Sequence, residues 1–165
     1  MNRRKLGLSC GGLALAAVGL AGCKSFKGLT SATIPNQVVA DLALIKNGLS
    51  VVVGAAQGMG LSATVSANIL THANSAIGLI STIAAGVAQS VGQPIVQQIF
   101  TDVNAIVSAI TGAGIVIPPV LGQVLAAMNT LMPVIVAAVG ILTAGAAATA
   151  PPEAVGTARQ VLSGV

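Results

Sequence analysis

Charge is scarce in this chain. Charged residues fill 6% of its 165 positions, against about a quarter in ordinary globular domains. Aromatic residues are scarcer still: there is no Trp or Tyr, and the two Phe are Phe26 and Phe100. One histidine, His72, and two cysteines, Cys10 and Cys23, complete a short inventory of reactive groups. Without a basic stripe or stacking aromatics, nucleic acid binding has nothing to build on. The carboxylates Asp41, Asp102 and Glu153 fall on different predicted helices, and no spacing suggests a catalytic or metal-binding pair. His72, beside Thr71 and Asn74, reads as a polar-face residue of a helix. Asp41 and Lys46 are five apart, a poor helical ion-pair spacing. The glycine-rich residues 54–60 lack the lysine and strand context of a phosphate loop. We therefore expect no enzymatic activity, no metal and no bound cofactor.

What is present begins at the N-terminus. Arg3, Arg4 and Lys5 precede an uncharged stretch, residues 6–21, with a dense apolar core at residues 13–20. That length suits the apolar region of a signal peptide and is short for a membrane span. Leu20-Ala21-Gly22-Cys23 follows at once: an aliphatic residue, two small ones and a cysteine. The segment resembles the lipobox of bacterial lipoproteins. The resemblance implies cleavage after Gly22, with Leu20, Ala21 and Gly22 read by the signal peptidase. It also implies a diacylglycerol and an N-acyl chain on Cys23, because a thiol can accept the glyceryl group and small neighbours leave the backbone accessible. Cys10 has Gly7 where an aliphatic residue is wanted. Lys24, in place of an aspartate after the lipidated cysteine, implies sorting to the outer membrane, facing the periplasm, in a Gram-negative cell. At about 0.8 kcal/mol per buried CH₂, two or three acyl chains make a lasting anchor.

Loss of the leader changes the charge. The precursor's net charge of +4 includes Arg3, Arg4 and Lys5. Afterwards Lys24, Lys27, Lys46 and Arg159 face Asp41, Asp102 and Glu153, nearly a neutral balance. Residues 47–101 and 103–152 carry no charge at all. Such a surface offers little repulsion between copies. We expect a cleaved signal peptide at residues 1–22, a lipidated tether at 23–34, and one helical domain at 35–165.

Apolar residues recur at helical spacing through that domain. Val38, Leu42, Ile45, Leu49, Val52 and Ala56 predict a helix over about 36–58. A second helix, over about 62–89, places Ala73, Ile77, Ile80, Ala84 and Val87 on its apolar seam. The third opens at Pro94, a residue suited to a first helical position, and carries Val96, Ile99, Val103, Ile106 and Ile110. The fourth begins near Pro118-Pro119 with Leu121, Val124, Met128, Leu131, Ile135 and Leu142, and residues 131–148 are apolar or small all round. A short fifth helix follows Pro151-Pro152, with Val155, Ala158 and Leu162 on one side. Val51–Val53 and Ile115–Ile117 are the only short β alternatives. The pattern predicts an all-α, antiparallel bundle of about four long Ala- and Gly-rich helices plus a short C-terminal one. Gly54 and Gly58 match a small-xxx-small spacing for close helix approach.

Two classes of function remain open. One is a structural or accessory envelope lipoprotein that acts through self-association or another envelope protein. The alternative is a membrane-active helical protein, motivated by the charge-free stretches and by residues 131–148. A third class, binding of a lipid or apolar small molecule, is disfavoured by the lack of aromatic side chains to shape a pocket.

Overall fold

The computed structural model describes residues 34–140 and 150–165. They form five helices: α1 (Asn36–Ala56), α2 (Ala63–Ala84), α3 (Gln89–Gly112), α4 (Pro119–Ala138) and α5 (Pro152–Ser163). The fold is all-α. Val51–Val53 lie inside α1, and Ile115–Ile117 lie in the α3–α4 connection, so neither becomes a strand.

The predicted seams supply most of the core. Val38, Leu42, Ile45, Leu49 and Val52 of α1, Val96 through Ile110 of α3, and Leu121 through Ile135 of α4 are buried at those spacings. Each large side chain so buried is worth about 1.5–3 kcal/mol of transfer free energy. In α2 the buried face is Ile69, Ala73, Ala76, Ile80 and Ile83. Ile77 is only half-buried and Ala84 is exposed, so the helix is turned relative to the predicted seam. Apolar residues on both flanks of α2 left that rotation open in the sequence.

Short connections and cross-helix bonds define the packing. His72 and Asp102 stand at equal sequence distances from the α2–α3 turn and are hydrogen-bonded, the register of an antiparallel pair. Gln93 and Val139 do the same across α3 and α4. Helix α1 packs on α2 and α4, α3 closes the ring between α2 and α4, and α5 lies on α1 and α4.

Three boundaries differ from the sequence expectation. Helix α2 stops at Ala84 because Gly86 takes φ +92°, a left-handed conformation that ends helices at low cost. Helix α3 starts at Gln89, before Pro94. The Ala88 carbonyl accepts from the Val91 and Gly92 amides and anchors that extra turn. Pro94 therefore lies inside α3, past its first turn, and cannot donate the backbone bond of its position. Helix α4 ends at Ala138, followed by Gly140 at φ +76°, so no single helix runs over residues 131–148. Leu131, Met132, Ile135, Val136 and Val139 are core residues, while 141–149 fall outside the described residues.

Close helix approach occurs at Gly48, not at the predicted glycine pair. A Cβ on Gly48 would lie 2.8 Å from Leu162 Cδ2 and 2.9 Å from Met128 Sδ. Gly54 has open space where a Cβ would stand, and Gly58 meets only the Ala55 carbonyl at 3.8 Å. Gly48 is thus the notch where α1, α4 and α5 meet.

Candidate functional site

The residues singled out by the lipobox, Leu20, Ala21, Gly22, Cys23 and Lys24, lie outside the described residues. Within the bundle, the side chains capable of chemistry gather at two places. Each is built on a buried aspartate.

Asp41 sits in the first half of α1, only 2% exposed, on the face that carries the apolar seam. Arg159 of α5 reaches it with two parallel bonds, Nε to Oδ1 and Nη2 to Oδ2, both 2.8 Å. Gln37, one helical turn earlier, donates from Nε2 to Oδ1 at 3.0 Å. Paired donors of this kind match the planar fork of guanidinium to the carboxylate. The hydrogen bond to Asp41 is the main cause that holds the Arg159 guanidinium above its ordinary pKa, opposed by partial burial and aided by the carboxylate charge.

Asp102 lies just past the middle of α3, 1% exposed. Its Oδ1 shares a 2.8 Å hydrogen bond with His72 Nδ1 of α2 and accepts from Gln98 Nε2 at 3.1 Å. Oδ2 is buried with no hydrogen-bond partner among the described residues. The expectation that His72 simply belongs to a polar face is therefore incomplete: its side chain is 32% exposed and joined to a buried acid. A carboxylate that orients an imidazole is also part of catalytic triads. Here no hydroxyl or thiol hydrogen-bonds the ring among the described residues. The pair is best read as a clasp between α2 and α3.

One signal for both clasps was present in the sequence. Gln37-x-x-x-Asp41 and Gln98-x-x-x-Asp102 share a local pattern, each set within an apolar seam. Their partners, Arg159 and His72, are distant in sequence and only the fold reveals them.

An open groove of about 320 Å³ lies between α4 and α5, lined mainly by Ala126, Ala127, Thr130, Ala154, Thr157 and Val161. The hydroxyls of Thr130 and Thr157 donate to the Ala126 and Glu153 carbonyls of their own helices at 2.9 and 3.0 Å. The groove therefore offers mostly carbon to an occupant. No group of three His, Cys, Asp or Glu that could hold a metal is present among the described residues. Exposed large apolar side chains among them are Val91, Val116, Val120 and Val165. Helices α1 and α4 are long and apolar enough to cross a membrane by length and composition, although parts of both are buried in the bundle.

Compared with known protein families, curated proteins and solved structures, the chain gives no match in any of the three.

Proposed function

We propose that this chain is a non-enzymatic, lipid-anchored envelope protein. In this reading Cys23 carries the acyl chains, and residues 24–33 tether the bundle, which begins at the buried Ile34, to the periplasmic face of an outer membrane. The bundle acts by contact with another envelope protein or with further copies of itself. The observation that carries the proposal is the sequence Leu20-Ala21-Gly22-Cys23 behind a basic, apolar leader. The bundle supports it by its surface. With Asp41 and Asp102 buried in clasps, the described charges left on the outside are few, chiefly Lys46 and Glu153. A surface rich in Ser, Thr, Asn and Gln with little net charge lacks electrostatic barriers to association.

The test is acylation in a Gram-negative host fed an alkyne-tagged fatty acid. The wild-type chain should take up the tag and, by mass, begin at Cys23. Cys23→Ala should remain untagged and keep residues 1–22. An untagged wild-type chain that retains its leader would overturn the proposal.

A second reading, direct contact of the helices with lipid, draws its support from α1 and α4, the two span-length helices among the described residues.

A further inference from the structure

We propose that α5 is a latch: it covers the α1/α4 pair, and its release lets that pair bind a lipid bilayer. The inference rests on the second reading above and does not depend on the lipid anchor.

Three observations carry it. First, among the described residues α5 packs on α1 and α4 and on no other helix. Those two helices are also the ones long and apolar enough to meet a membrane. Second, the fastening is concentrated. Arg159 closes on the buried Asp41 with two 2.8 Å bonds, and Leu162 enters the notch at Gly48 beside Met128. Of the three side chains that α5 buries, Val155, Ala158 and Leu162, only Leu162 is fully covered. Third, α5 is the shortest helix, with 12 residues, and the four-helix ring closes through α1–α4 contact without it.

A short helix that buries only three side chains opens at lower free energy than the core. Here the opening would expose the Gly48 notch of α1 and the Ala127 flank of α4. It would also separate Arg159 from Asp41, leaving a buried carboxylate without its cation, so the closed state is favoured until another surface compensates. A bilayer suits the uncovered side: α4 carries no charged residue, and α1 carries only Asp41 and Lys46. Asp41 lies close enough to the α1 N-terminus to stay at headgroup level while the Gly48 side of α1, from which Leu162 withdraws, meets acyl chains.

The experiment uses the full chain as its host processes it, so the N-terminus is the same in every variant. Each protein is added to dye-loaded vesicles of phosphatidylethanolamine and phosphatidylglycerol, and α5 amide exchange is followed in parallel. Arg159→Gln should speed α5 exchange by about tenfold and raise dye release several-fold over wild type. Leu162→Ala, which leaves both charges in place, should do the same and decides the matter if Arg159→Gln fails to fold. His72→Ala opens the other clasp, between α2 and α3, and should leave dye release at the wild-type level. Faster α5 exchange without added dye release would refute the bilayer as occupant while the latch itself moves. Unchanged α5 exchange in both latch variants, or equal release from His72→Ala, would overturn the latch.

Discussion

The two buried aspartates are alike in sequence and unlike in structure. Asp41 and Asp102 each follow a glutamine by four residues, each sits in an apolar seam, and each accepts that glutamine's amide. Asp41 then receives a forked arginine that engages both oxygens. Asp102 receives one imidazole nitrogen, and its Oδ2 has no hydrogen-bond partner among the described residues. The same local pattern is thus completed in one case and left short in the other. The difference lies in what the neighbouring helix brings. α5 is short and exposed on one side, so it can carry a long cation that reaches inward from solvent. α2 belongs to the ring itself and meets Asp102 with a compact side chain.

This comparison can be tested by removing each aspartate's distant partner. Arg159→Gln should have the larger effect, because it leaves a carboxylate that is 3% exposed without its counter-charge. Breaking a buried pair costs about 3–5 kcal/mol. The Arg159 side chain is 37% exposed, and solvent screening reduces the expected loss to about 2 kcal/mol. Urea unfolding would measure it, and Asp41→Asn in the same chain should recover part of the loss. A raised arginine pKa means that this stabilisation is complete below the unfolded arginine value and is lost only as pH rises through the still higher folded value. The gap between wild type and Arg159→Gln should therefore stay flat from neutral pH into the mildly alkaline range, as far as the arginine is concerned. A gap that closes there would remove the guanidinium as its source.

His72→Ala should cost less, about 1 kcal/mol, because Gln98 still donates to Asp102 and Oδ2 already lacks a partner among the described residues. If the two substitutions prove equal in urea, the forked geometry adds nothing and the comparison fails.

The smallest effects separate the packing around each clasp. Gly48→Ala, where a Cβ would press on Leu162 and Met128, should destabilise the α1/α5 side by about 1 kcal/mol. Gly78→Ala on α2 has open space and should stabilise by about 0.5–1 kcal/mol through helix propensity alone. Thermal melts of the two variants should move in opposite directions. Movement in the same direction would show that the notch at Gly48 is softer than its distances suggest.

Much of the fold was legible because helical periodicity is a local property. Val38, Leu42, Ile45 and Leu49, and likewise Val96, Ile99, Val103 and Ile106, repeat at the spacing of one helix face, and burial follows. Helix ends were less legible. Gly86 and Gly140 stop α2 and α4 by taking positive φ, yet many other glycines in the chain sit within or beside helices without doing so. The small-residue spacing of Gly54 and Gly58 pointed to the wrong contact, because close approach depends on which helix lies opposite.

The sequence by itself determined the helical periodicity, the near-neutral surface and the lipobox pattern at Leu20–Cys23, for these depend on residues near one another in the chain. Only the tertiary structure decided that Arg159 closes on Asp41, that His72 closes on Asp102, and that Gly48 admits Leu162. Those pairings join residues far apart in sequence. Which cation reaches a buried carboxylate is set by helix order and rotation, and neither quantity is written in any local spacing.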